Sequence, residues 1–150
     1  MKKFAFQFEP ILKLRKNQRE LCQQLLAEIL RRDAELRARR GAVEQERAAQ
    51  LDEVRRLLGG GRVNIDASTA RRFYANNLIG ELVLLERNQA LLVQQIKVCR
   101  QSLIRADQAV QALEKLAEKQ RAELEFDQER RAARELEETW QAVHALEPQS

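Results

Sequence analysis

The triplet Gly59-Gly60-Gly61 divides this chain into two runs of helical periodicity that match when folded back on each other. Before it, large apolar residues fall at Leu14, Leu21, Leu25, Ile29, Leu36, Val43, Val54 and Leu58, in steps made of threes and fours. Such steps keep side chains on one helical face. After it, Leu78, Leu82, Leu85, Leu92, Ile96, Cys99, Leu103, Ala106, Val110, Leu113, Ala117 and Leu124 follow a heptad interrupted only by Gln89 and Gln120. That pattern is the seam of a coiled coil. Val43 with Leu82, Leu36 with Gln89, Ile29 with Ile96 and Cys22 with Leu103 are pairs whose residue numbers all sum to 125. A constant sum is the rule for an antiparallel pair. The fold expected is therefore all-α, a long two-helix antiparallel coiled coil.

One hairpin over residues 1–150 is expected, with helix 1 from about 10 to 58, a loop over 59–66 and helix 2 from about 67 to 146. Pro10 suits the first turn of helix 1, where its missing N–H leaves no bond unmade. Asp66 or Ser68 is placed to cap helix 2. Pro148 falls in the tail beyond it. Two helices bury a stripe and not a rounded core, so modest stability and dependence on partners follow.

The register also implies an unequal end. Phe8 lies level with Ala117 and Phe4 with Arg121, so helix 2 beyond Arg121 has no partner in helix 1. The overhang to Leu146 is about 35–40 Å long at the helical rise. Within it Leu136, Trp140 and Val143 share one face. Two readings stand: a solvated, frayed tail, or a stripe that docks in a partner's groove or channel. Toward the turn, Arg40 opposes Leu85 and Arg47 opposes Leu78. Arginine stems lying across leucines explain this; so does a binding patch of Leu78, Leu82 and Leu85 flanked by positive charge. Gly41 and Gly80 lie near that level on the outer side, where a tolerated surface glycine is the simpler account.

Charge is divided along the chain. Residues 1–66 carry 15 basic and 10 acidic groups, residues 67–115 carry 7 and 4, and residues 116–150 carry 5 and 9. A basic body and an acidic end imply different partners at the two places. Catalytic chemistry has no foothold. His144, the only histidine, has no second ligand at metal spacing, and the glycine triplet lacks the Lys-Ser/Thr of a phosphate loop. The glutamates fall on solvated faces without a cleft. Cys22 and Cys99 fall on the seam as small hydrophobes and do not make a disulfide framework. The sequence is thus read as non-enzymatic, without cofactor or metal. No apolar run approaches a membrane span, and the N-terminus lacks the core of a signal peptide. These features point to the cytoplasm.

The segment Phe6-Gln7-Phe8-Glu9-Pro10-Ile11-Leu12-Lys13-Leu14-Arg15 resembles the opening of the FliJ family, cytoplasmic components of the flagellar type III export apparatus. Phe73-Tyr74, the stretch Leu113-Glu114-Lys115-Leu116-Ala117-Glu118-Lys119 and the block Arg134-Glu135-Leu136-Glu137-Glu138 also look like that family. Glu137 stands where many relatives carry Asp, and helix 1 is unusually arginine-rich near the turn. The resemblance implies a hairpin similar to the stalk subunit of rotary ATPases, with the end that holds both termini entering a hexameric export ATPase. It implies contact of the turn-proximal part with the cytoplasmic domain of the export gate, and handling of export chaperones. It further implies peripheral association with the inner-membrane export apparatus. Carried over by spacing, the gate-facing residues are Arg40, Val43, Arg47, Leu78, Leu82, Leu85 and Gln89. The stalk-end residues are Phe4, Phe8, Arg134, Leu136 and Trp140. A monomeric hairpin is expected, without direct membrane insertion.

Other readings are a basic tether or nucleic-acid-binding hairpin, and the equivalent stalk of a virulence type III secretion system. Against nucleic acid stand the alternation of arginine with glutamate and the scarcity of aromatic residues for stacking.

Overall fold

The computed structural model describes residues 3–60 and 64–146. Two helices account for nearly all of them: α1, Glu9–Gly59, and α2, Ile65–Ala145. They pack against each other as an α-hairpin, and no strand occurs among the described residues. Gly61 and Pro148 lie outside the described residues.

The helix ends follow local chemistry. Glu9 and Pro10 open α1, with the acidic group at the positive end of the helix dipole. At α2 the cap is neither Asp66 nor Ser68. The side-chain oxygen of Asn64 accepts the Ala67 N–H at 3.1 Å, so the helix starts at Ile65. Ser68 is instead buried, and its hydroxyl donates to the Ile65 carbonyl at 3.0 Å.

The chain forms two units, one of Leu21–Ile104 and one of Met1–Glu20 with Arg105–Ser150. In the first, the core is the cluster of Ile29, Ile96 and Cys99, with Leu26 and Leu92 packed against it. Val43, Val54, Ala75 and Leu78 continue it toward the turn. Cross-helix bonds fix the register. Arg39 reaches Glu81 at 2.7 Å, Arg40 reaches Glu86 at 2.9 Å, and Arg71 reaches Gln50 at 2.9 Å. In the second unit, Leu12 and Val110 are buried, Arg19 pairs with Asp107 at 3.2 Å, and the Arg121 guanidinium sits 5.3 Å from the centre of the Phe4 ring. The residue numbers of these pairs sum to between 120 and 126.

The seam of α2 is the heptad read from sequence. The seam of α1 is not. Leu14, Leu21 and Leu25 are 55%, 64% and 54% exposed, and Leu58 is exposed too. The positions facing α2 are Leu12, Arg19, Cys22, Leu26, Ile29, Asp33, Leu36, Arg40, Val43, Arg47, Gln50, Val54 and Leu57, all buried or half-buried. Five of these are polar. Counting apolar letters therefore put Leu14, Leu21, Leu25 and Leu58 on a face that Leu12, Cys22, Leu26 and Leu57 hold, one or two residues away, because polar seam positions break the apolar spacing. Gly41 and Gly80 have open space where a Cβ would stand, which agrees with glycines tolerated at the surface.

Candidate partner-binding surfaces

The terminal part of α2 changes character where its partner ends. Leu124 is half-buried, and every residue from 125 to 146 is exposed. Continuing the hairpin heptad beyond Leu124 leads to Asp127, Arg131, Arg134 and Glu138, all charged. The apolar residues have moved. Phe126, Ala133, Leu136, Trp140 and Val143 follow a heptad of their own, interrupted by Glu129 and displaced by two positions from the seam. Two positions correspond to about 200° around the helix axis. The stripe therefore points almost opposite to the side that α1 would cover. Leu136 and Trp140 are 73% and 61% exposed. The His144 ring stacks on Trp140 with centroids 3.8 Å apart, and its Nδ1 lies 3.1 Å from the Trp140 carbonyl oxygen.

The five residues assigned to the stalk end are not gathered into one site. Phe4 is half-buried beneath Arg121, and Phe8 packs edge-on against Phe6 at 5.7 Å. Leu136 and Trp140 stand on the terminal stripe, whereas Arg134 holds a seam position on the other side of the helix. Phe126 and Ala133 belong to the stripe and were missed by sequence reading. Their signal was there, but it emerges only after the heptad is known to stop at Leu124.

The turn-proximal set divides similarly. Val43 is 0% and Leu78 5% exposed, so both are seam residues inaccessible to a partner while the hairpin is closed. Leu82, Leu85, Gln89, Arg40 and Arg47 are half-buried. Leu78 is thus covered and does not belong to an open apolar patch. Arg40 leaves the seam by its guanidinium, which donates to Gln89 at 3.2 Å, to Glu86 at 2.9 Å and to Glu44 at 3.2 Å. Arg47 is caught further in, and its Nε is buried without an acceptor. The accessible apolar residues at this level are others. Leu84, Leu91 and Val98, exposed and spaced by seven, line the outer side of α2. Leu91 also walls a groove of about 540 Å³ together with Leu36, Leu85, Arg32 and Arg39.

Electrostatically, most arginines of α1 are already engaged. Arg31, Arg32, Arg39, Arg40 and Arg56 all pair with glutamates. The bond from Arg31 holds the Glu28 carboxyl below its usual range, and Arg56 does the same for Glu53. The Tyr74 hydroxyl donates to Glu46, and this raises the phenol above its ordinary value. A cation already paired with a carboxylate is a poor ligand for phosphate, so α1 does not present a continuous basic track. Among the described residues no group of acidic, cysteine or histidine side chains has a metal-binding arrangement. No described helix is long and apolar enough to cross a membrane.

Comparison with models of known families, with curated proteins and with solved structures finds no match.

Proposed function

We propose that this chain is a non-enzymatic component of a flagellar type III protein export apparatus, coupling a hexameric export ATPase to the export gate and escorting export chaperones. The observation that carries the reading is the terminal helix. A paired hairpin ends in an unpaired helix that keeps Phe126, Ala133, Leu136, Trp140 and Val143, with Glu129 the one charged residue among them, on the face turned away from its own seam. A merely solvated tail has no reason to keep such a stripe through four turns. A helix that must enter a groove or ring has one. The resemblance of the Phe6–Arg15 segment to the FliJ opening supplies the identity of the partner, and the hairpin fold agrees with it.

In this reading the terminal stripe, with Leu136 and Trp140 at its centre, docks in the ATPase, while Phe4 and Phe8 close the hairpin next to it. The gate-facing set shifts outward. Val43 and Leu78 hold the hairpin together, and the accessible groups around Leu85, Arg39 and Leu91 make the contact. The same hairpin would serve a virulence secretion system equally well.

The test is the hydrolysis rate of a purified export ATPase with and without the chain. Stimulation that is lost on Leu136→Asp with Trp140→Asp supports the proposal. Unchanged hydrolysis together with no detectable complex would overturn it.

A further inference from the structure

Within the Leu21–Ile104 unit a second groove, of about 590 Å³, runs between the helices on the other side from Leu91. Its walls are Leu30, Val93 and Ile104, all exposed, and Ile96 lies at its base. Three cations line it: Arg37 pairs with Asp33, which lines the groove too, while Lys97 and Arg100 take part in no ion pair found among the described residues. With three cations and one carboxylate, the groove carries an excess of positive charge. An apolar cleft edged by a net positive charge fits an amphipathic helix with an acidic margin.

The chain itself carries such a helix. Residues 123–146 hold seven acidic and three basic groups, all exposed from 125 onward, around the stripe of Phe126, Ala133, Leu136, Trp140 and Val143. Glu125 and Glu137 flank that stripe directly. We propose that the groove receives the terminal helix of a second copy of this chain. Apolar residues spaced by three and four enter between Leu30, Val93 and Ile104, and Glu137, beside Leu136 at the stripe's edge, comes to rest against Lys97 and Arg100. Groove and helix are different patches, so the contact is heterologous: each copy offers one of each. The surfaces complement each other in both properties, apolar against apolar and acidic against basic. The inference stands on the groove and the helix alone and does not depend on the export reading.

Sedimentation velocity of the full chain tests it. The expected mass rises above the 17.4 kDa of one chain as concentration increases, and less so at high salt, because exposed charge pairs are screened. Lys97→Glu with Arg100→Glu should weaken association about tenfold or more, as expected for like charges brought together across an interface. Adding Glu137→Lys to that variant should restore part of it. Trp140→Ala should weaken association without changing helicity. A mass of one chain at every concentration overturns the proposal, as does association indifferent to these charge reversals. Association that survives removal of residues 123–150 would show that the groove takes a different occupant, and that too overturns it.

Discussion

Arg40 of α1 donates to the side-chain oxygen of Gln89 on α2 at 3.2 Å, across the middle of the hairpin seam. The bond accounts for one of the two glutamines that interrupt the α2 heptad. Its consequence is asymmetric, because an unmade bond at a half-buried site costs more than a made one contributes. Arg40→Met should therefore destabilise the chain by about 1 kcal/mol, by leaving Gln89 without its donor. Arg40→Met with Gln89→Leu should recover that loss. Urea unfolding of the two variants gives the cycle directly, and equal midpoints would show that the pair is not coupled.

Asp33 presents the opposite case. Arg37 holds one carboxylate oxygen at 3.0 Å, and the other is buried with no donor. Asp33→Leu should stabilise the hairpin by about 1–3 kcal/mol, since an unsatisfied buried polar group is removed and a seam layer is filled. The thermal midpoint should rise. A fall would mean that the carboxylate is satisfied in solution.

Ile29 and Ile96 meet in the core cluster with Cys99. Ile29→Asp places a charge there and should cost several kcal/mol. Cysteines at 29 and 96, with Cys22 and Cys99 replaced, should form a disulfide within one chain. A product only between chains would point to a parallel dimer and not a hairpin.

The Tyr74 hydroxyl donates to the Glu46 carboxylate, and this bond, burial and the charge of Glu46 all raise the phenol above 10.0. The neutral phenol is thus favoured in the folded state. Its contribution is fully present below about pH 10, where the unfolded phenol titrates, and is lost as pH climbs through the higher folded value. Ultraviolet titration should give a midpoint above that of an unfolded peptide carrying the same tyrosine. Glu46→Gln should lower it, and no movement would show that the bond is not formed.

Removing residues 122–150 should leave hairpin stability nearly unchanged, because Leu124 alone of the described residues removed is half-buried and all of 125–146 is exposed. Circular dichroism should show loss of the terminal helix's signal and a similar thermal midpoint. In the export reading the truncated chain should still bind the gate yet no longer stimulate the ATPase. Charge reversal at Arg40 and Arg47 is less suited to the reverse test, since Arg40 braces Gln89 and Arg47 is wedged in the seam.

The hairpin, its register and the seam of α2 were all legible in the linear chain. A glycine triplet and a heptad with only two interruptions leave one way to fold back, and the constant pair sum needs no coordinates. The overhang followed by subtraction. What remained ambiguous was the rotation of α1. Leu12 or Leu14, Leu25 or Leu26, and Leu57 or Leu58 are neighbours in sequence, and each choice satisfies a spacing of three or four. With Arg19, Asp33, Arg40, Arg47 and Gln50 on the true seam, hydrophobicity alone favours the wrong leucines. Long side chains explain how the seam tolerates them: arginine lays its aliphatic stem across α2 and carries its charge out to a glutamate. Only the facing helix could decide that phase, because a side chain is inside by virtue of what covers it. The same holds at the C-terminus, where the stripe of Leu136 and Trp140 could be seen in the sequence. That it turns away from the seam became evident once tertiary packing showed where α1 stops covering α2.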